Sequence, residues 1–154
     1  SRARQHVKAD YARHEVEDEE RERLFDAFSD AVRNRDVDAL AAVLAEDAVL
    51  LADGGGKVSA VSRPLHGGAR IAQTLIGFAK LATSRAWRIE PARINGMPGG
   101  LIFDGVTGEL VQTVALAPSA SQPGRIGALY VQRNPDKLQG VLETLGRRAN
   151  VAER

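Results

Sequence analysis

Apolar positions along the 154-residue chain follow two different periods. Early on they recur every three to four residues. Leu24, Phe25, Phe28 and Val32 share one face of a helix predicted over "EERERLFDAFSDAVRNRD". Asp36 suits the N-cap of a second helix, "VDALAAVLA", with Val37, Leu40 and Leu44 inward. The runs "DAVLLAD" and "KVSAV" then flank three glycines and predict a hairpin. A third helix, "ARIAQTLIGFAKLA", turns Ile71, Leu75, Phe78 and Leu81 or Ala82 inward. After it the pattern is mostly strand, near Ala86–Ile94, Leu101–Asp104, Glu109–Ala117 and Arg125–Arg133. The stretches "NGMPGG", "DGVTG" and "SASQPG" supply the turn chemistry between them. The last segment, "NPDKLQGVLETLGRR", opens like a helix with Leu138, Val141, Leu142 and Leu145 at helical spacing. Gly140 and Gly146 predict that it is short or frayed.

Helices first and a long antiparallel sheet afterwards is an α+β arrangement. Three N-terminal helices on a curved, mostly antiparallel sheet make a cone, with an apolar pocket expected between the layers. Phe28, Trp87 and Tyr130 are the candidate pocket-lining residues, although a plain core role is the commoner one for such aromatics.

Charge changes the picture at the start of the chain. Residues 1–14 carry Arg2, Arg4, Lys8 and Arg13 against Asp10, and "EVEDEE" follows at 15–20. A basic lead-in before an acidic helix start is expected to be a linker entering a domain. The expected division is a linker over 1–14, one domain over 15–140 and a tail over 141–154. The net charge of +1 excludes a molecule that binds nucleic acid through its overall charge. There is no cysteine, so disulfides and thiolate chemistry are excluded, which fits the cytoplasm. No membrane span or signal peptide is visible.

The stretch "LADGGGKVSA" is the first candidate site. A phosphate-binding loop needs glycine where Leu51 stands and Ser or Thr where Val58 stands, so that reading fails. Two readings stay open, a plain turn and a contact surface. Three glycines exceed what a tight turn needs, and each extra one costs about 0.5–1 kcal/mol of chain entropy. The second candidate is "NPDKL". Asn134, Pro135 and Asp136 suit the cap, first position and first turn of a helix, and Leu138 suits a core. Lys137 is left without a local reason. The third candidate is an acid–base site built from Asp47, Asp53 or Asp104 with Tyr130 or His66. No nucleophile–base pair emerges from these residues, and no metal-ligand spacing. Neither a catalytic residue, a metal nor a cofactor is expected.

Taken together, Asp53-Gly54-Gly55-Gly56-Lys57, Asn134-Pro135-Asp136-Lys137-Leu138 and the opening "SRARQHV" resemble one family. They are similar to the C-terminal extension of extracytoplasmic-function sigma factors that carry a SnoaL-like domain, the sigma factor J-like group. The likeness runs from about residue 15 to about residue 140, and the two five-residue motifs are specific in combination. "SRARQHV" resembles the end of the promoter-reading helix-turn-helix domain, so the chain resembles a fragment without the DNA-binding domains. The resemblance implies a SnoaL-like, nuclear-transport-factor-2-like (cystatin-like) cone. It implies a regulatory domain that contacts the preceding sigma domains and modulates access to RNA polymerase core, with promoter DNA touched only by the other domains. Asp53 to Lys57 and Asn134 to Leu138 would lie at that interdomain contact. The alternative is a small enzyme of the ketosteroid isomerase or polyketide cyclase type, or a domain that binds a small apolar ligand. The isomerases place a tyrosine on the first helix, where this chain has Phe25 and Phe28. Homodimerisation of the isolated fragment through its sheet is a further expectation.

Overall fold

The computed structural model describes residues 2–56, 63–81 and 87–152, with side chains described from residue 17 to residue 144. Helix α1 (Arg2–Arg33) runs unbroken across the expected linker boundary. It buries Leu24, Phe25, Phe28 and Ala31, as its 3.6-residue pattern requires. Its end is shaped by Arg35, whose φ of 52° is left-handed. The N–H of Arg35 donates to Val32 O, and that of Asp36 to Ala31 O, the pairing of a Schellman C-cap. Asp36 then caps α2 (Val37–Val43), its Oδ1 accepting from the Ala39 N–H at 3.0 Å.

The chain turns from α2 directly into strand β1 (Leu44–Asp53). Strand β2 (Leu65–His66) pairs antiparallel with β1. The expected second arm of the glycine hairpin, "KVSAV", lies outside the described residues, and so does Ala82. Helix α3 (Gly68–Leu81) buries Ile71, Ala72, Ile76 and Ala79. This corrects the predicted inward stripe. Phe78 is 45% exposed and Leu81 79% exposed, because the buried face is centred nearly a third of a turn away from the stripe through the larger side chains.

Strands β3 (Trp87–Ile94), β4 (Met97–Asp104), β5 (Leu110–Pro118) and β6 (Ile126–Gln132) complete a sheet of order β2-β1-β6-β5-β4-β3. All pairings are antiparallel except β1 with β6. Turn chemistry predicts a loop over the whole of "NGMPGG". In fact Asn95 and Gly96 alone form it, both at positive φ, and Met97 onward is strand. Gly99 and Gly100 pair with β3 and β5 within that strand, and glycine suits them because their neighbours crowd the space of a Cβ. A Cβ on Gly100 would sit 2.8 Å from the Phe25 ring, and one on Gly99 would collide with Val114 O.

Helices α1 to α3 cover one face of the sheet, and the main core lies there, with Leu40, Leu50, Ile71, Leu116 and Leu129 at its centre. The other face carries α4 (Pro135–Ala152). This helix is 18 residues long, not short or frayed, and it spans the expected boundary between residues 140 and 141. It is seated by Leu138, which packs with Leu101 and Leu110, beside Val141 and Phe103. That burial outweighs the intrinsic cost of Gly140 and Gly146.

Candidate functional site

The two sequence motifs meet. Strands β1 and β6 run parallel, with Asp53 opposite Gln132, so both leave the sheet side by side at the same end. "DGGGK" begins at the last residue of β1, and "NPDKL" follows β6 after Arg133. The Arg133 N–H donates to Asp53 O at 2.7 Å and extends the ladder by one bond. Lys137 Nζ, in the first turn of α4, then donates to Asp53 Oδ2 at 2.6 Å. The residue without a local reason has a long-range one.

The glycines fit the same contact. The Gly55 N–H donates to Asp53 Oδ1 at 2.8 Å, turning the chain sharply. Gly55 has φ +64° and Gly56 φ +71°, both in the left-handed region that glycine adopts without steric cost. The Asn134 side chain fills the space that a Cβ on Gly55 would need, and such a Cβ would fall within 2.6 Å of three Asn134 atoms. Asn134 also caps α4. Its Oδ1 accepts from the Asp136 N–H at 3.1 Å, its carbonyl accepts from the Leu138 N–H at 3.0 Å, and its own N–H donates to Gln132 Oε1 at 3.0 Å. Lys137 beside Asp53 holds that carboxyl below the ordinary carboxylate range, helped by the Gly55 N–H.

This clasp is half exposed. Gly54 is buried and Leu138 is buried, while Gly55, Gly56, Pro135, Asp136 and Lys137 face outward. Lys57 lies outside the described residues, so the cation that Asp53 is seen to meet is Lys137. Gln132 is the member that sequence reasoning missed. The alternation of "ALYVQ" places it on one face with Ala128 and Tyr130, but nothing in the sequence puts that face beside Asp53.

The candidate pocket residues separate. Phe28 and Trp87 line the cavity between the helices and the sheet, together with Phe25, Leu75, Ile102 and Gln112. This cavity holds about 40 Å³, room for little more than a water, and among the described residues its lining carries no titratable group. Tyr130 lies on the opposite face, because it alternates with the buried Leu129 and Val131. The candidate acids also disperse. Asp47 is exposed and accepts from Ser121 Oγ. Asp104 is buried, but its Oδ1 organises the turn after β4 by accepting from the Val106 and Thr107 N–H groups. His66 is exposed on β2. Among the described residues no group of three or more His, Cys, Asp or Glu side chains is placed to hold a metal ion. Among them, too, no helix is long and apolar enough to cross a membrane.

The architecture is the SnoaL-like, nuclear-transport-factor-2-like cone, four helices with a six-stranded mixed sheet. It matches the extracytoplasmic function sigma factor SigJ of Mycobacterium tuberculosis with a TM-score of 0.60 at 23% identity, over 91% of this chain. The chain spans about half the length of that sigma factor, 51% of it. A steroid delta-isomerase from Pseudomonas aeruginosa matches with a TM-score of 0.54 at 18% identity, over 86% of this chain and 93% of its own. A SnoaL-like protein of unknown function from Burkholderia thailandensis gives 0.54 at 10% identity, over 73% of this chain and 92% of its own. No family model and no curated protein matches the sequence. At these identities the likeness establishes the fold.

Proposed function

We propose that this chain is the C-terminal regulatory domain of an alternative sigma factor. In this reading it modulates access of the sigma domains to RNA polymerase core and promoter, and the clasp is the surface that meets those domains. The observation that carries the reading is the convergence of the two motifs into one patch. Their ion pair links residues 84 positions apart and leaves glycine backbone, Pro135 and Asp136 turned outward. Bare backbone lets a partner approach closely, and the fixed charges set register. The structural likeness to SigJ over 91% of the chain supports it. So does the lead-in, since α1 runs unbroken from Arg2 through the 1–14 segment that resembles the end of a promoter-reading domain.

The alternative, an isomerase or cyclase, requires an acid or base facing an apolar substrate. Among the described residues, the inner cavity lined by Phe28 and Trp87, where such a substrate would be enclosed by the cone, presents neither the volume nor the group. The test is calorimetric titration of this chain into the sigma domains that bind core polymerase and promoter, at low and physiological salt. Saturable binding is expected, weakened by Lys57→Ala and by Asp136→Ala with the fold intact. No binding at either salt concentration would sink the reading.

A further inference from the structure

We propose that the outer face of the sheet carries a binding site for a small, uncharged, largely apolar molecule with one hydrogen-bond-accepting oxygen, seated over Ala115 with that oxygen on Lys137. The register builds the groove. Leu51 lies opposite Tyr130, Tyr130 opposite Ala115, and Ala115 opposite Gly99, so one row crosses four strands. The row is tall at one end and low in the middle. Leu51 and Tyr130 stand as a wall, each 40% exposed, while the buried Ala115 leaves a floor, and Ile94 covers Gly99 beyond it. Met97 of the β3–β4 hairpin and Val141 of α4 close the other sides. The open groove holds about 540 Å³, within the range of roughly 300–1,000 Å³ usual for small-molecule sites. The cavity on the helix side, about 40 Å³, has no such room.

The polar end selects the ligand's chemistry. Lys137 and Asp53 both line the groove. The Lys137 side chain is 60% exposed and donates one N–H to Asp53. An ammonium has three donors, so among the described residues two are left for a ligand. Asp53 already accepts from Lys137 and from the Gly55 N–H, and it stays ionised beside them. A ligand carboxylate on Lys137 would meet that like charge, and a ligand cation would meet Lys137 itself. A neutral carbonyl or ether oxygen meets neither and gains a charge-assisted bond.

The site shares Asp53 and Lys137 with the clasp but does not rest on the sigma-factor reading, and it is tested with this chain alone. Amide correlation spectra of the full 154-residue chain would be titrated with 2-acetylnaphthalene, with naphthalene and with 2-naphthoate. Saturable shifts at Leu51, Ala115 and Tyr130 are expected, with the ketone about tenfold tighter than the other two. Lys137→Met should bring the ketone down to the affinity of naphthalene, and Tyr130→Ala should weaken all three probes several-fold. Absence of saturable shifts overturns the proposal. So do equal affinities for the three probes, or shifts centred on Phe28 and Trp87. Concentration-dependent shifts of the same residues without any probe would assign the face to a second copy of the chain and overturn it too.

Discussion

Gly55 and Gly56 look alike in the sequence and differ in what they must accommodate. Both need a left-handed backbone, but Gly55 also faces Asn134, whereas a Cβ on Gly56 would meet open space. Gly56→Ala should therefore cost about 1 kcal/mol of unfolding free energy, the strain of the left-handed backbone alone. Gly55→Ala should cost about 2–3 kcal/mol, because Asn134 must also leave its capping position. Urea denaturation of the two variants checks the difference. Asp53 makes a second prediction, with a sign. Its carboxyl is held low by Lys137, so its contribution to stability is complete above the ordinary carboxylate range. It is lost as the pH falls through the lowered folded-state value. The gap in Tm between the native chain and Asp53→Asn should be constant from neutral pH to about pH 5, then close in acid. A gap that widened in acid would contradict the pairing.

At the scale of elements, α4 depends on both ends of one contact. Leu138 buries its side chain against Leu101 and Leu110, and Lys137 pins the first turn to β1. Leu138→Ala should destabilise the chain by about 2–4 kcal/mol, measured by denaturant unfolding. Lys137→Ala should speed hydrogen exchange in α4 while leaving β5 and β6 protected, since the main core lies on the other face. Helix periodicity makes α1 and α2 legible, and alternation makes the strands legible. The inward stripe of α3 is not legible in the same way, because Phe78 and Leu81 border the apolar face and only packing decides that the smaller Ala72 and Ala79 are buried in their stead. The length of α4 escapes the local pattern for a related reason. Glycine propensity is a local cost, and the burial that overrides it comes from strands elsewhere in the chain.

At the scale of the molecule, two grooves lie on opposite faces of one sheet, and the larger is not the one enclosed by the cone. The sequence by itself determined the α+β class, the order of elements, the Asp36 cap and the membership of Phe25 and Phe28 in the core. Those features depend on neighbours within a turn or a strand, so the local pattern carries them. It also marked "DGGGK" and "NPDKL" as unusual, through glycines in excess of a turn and a lysine without a local partner. Only the tertiary structure decided that the motifs are two halves of one clasp, and that Tyr130 faces away from Phe28 and Trp87. Both follow from the parallel pairing of β1 with β6, whose ends are brought together across about eighty residues. Such a register is selected by the burial of two whole faces at once, and no short stretch of sequence contains that information.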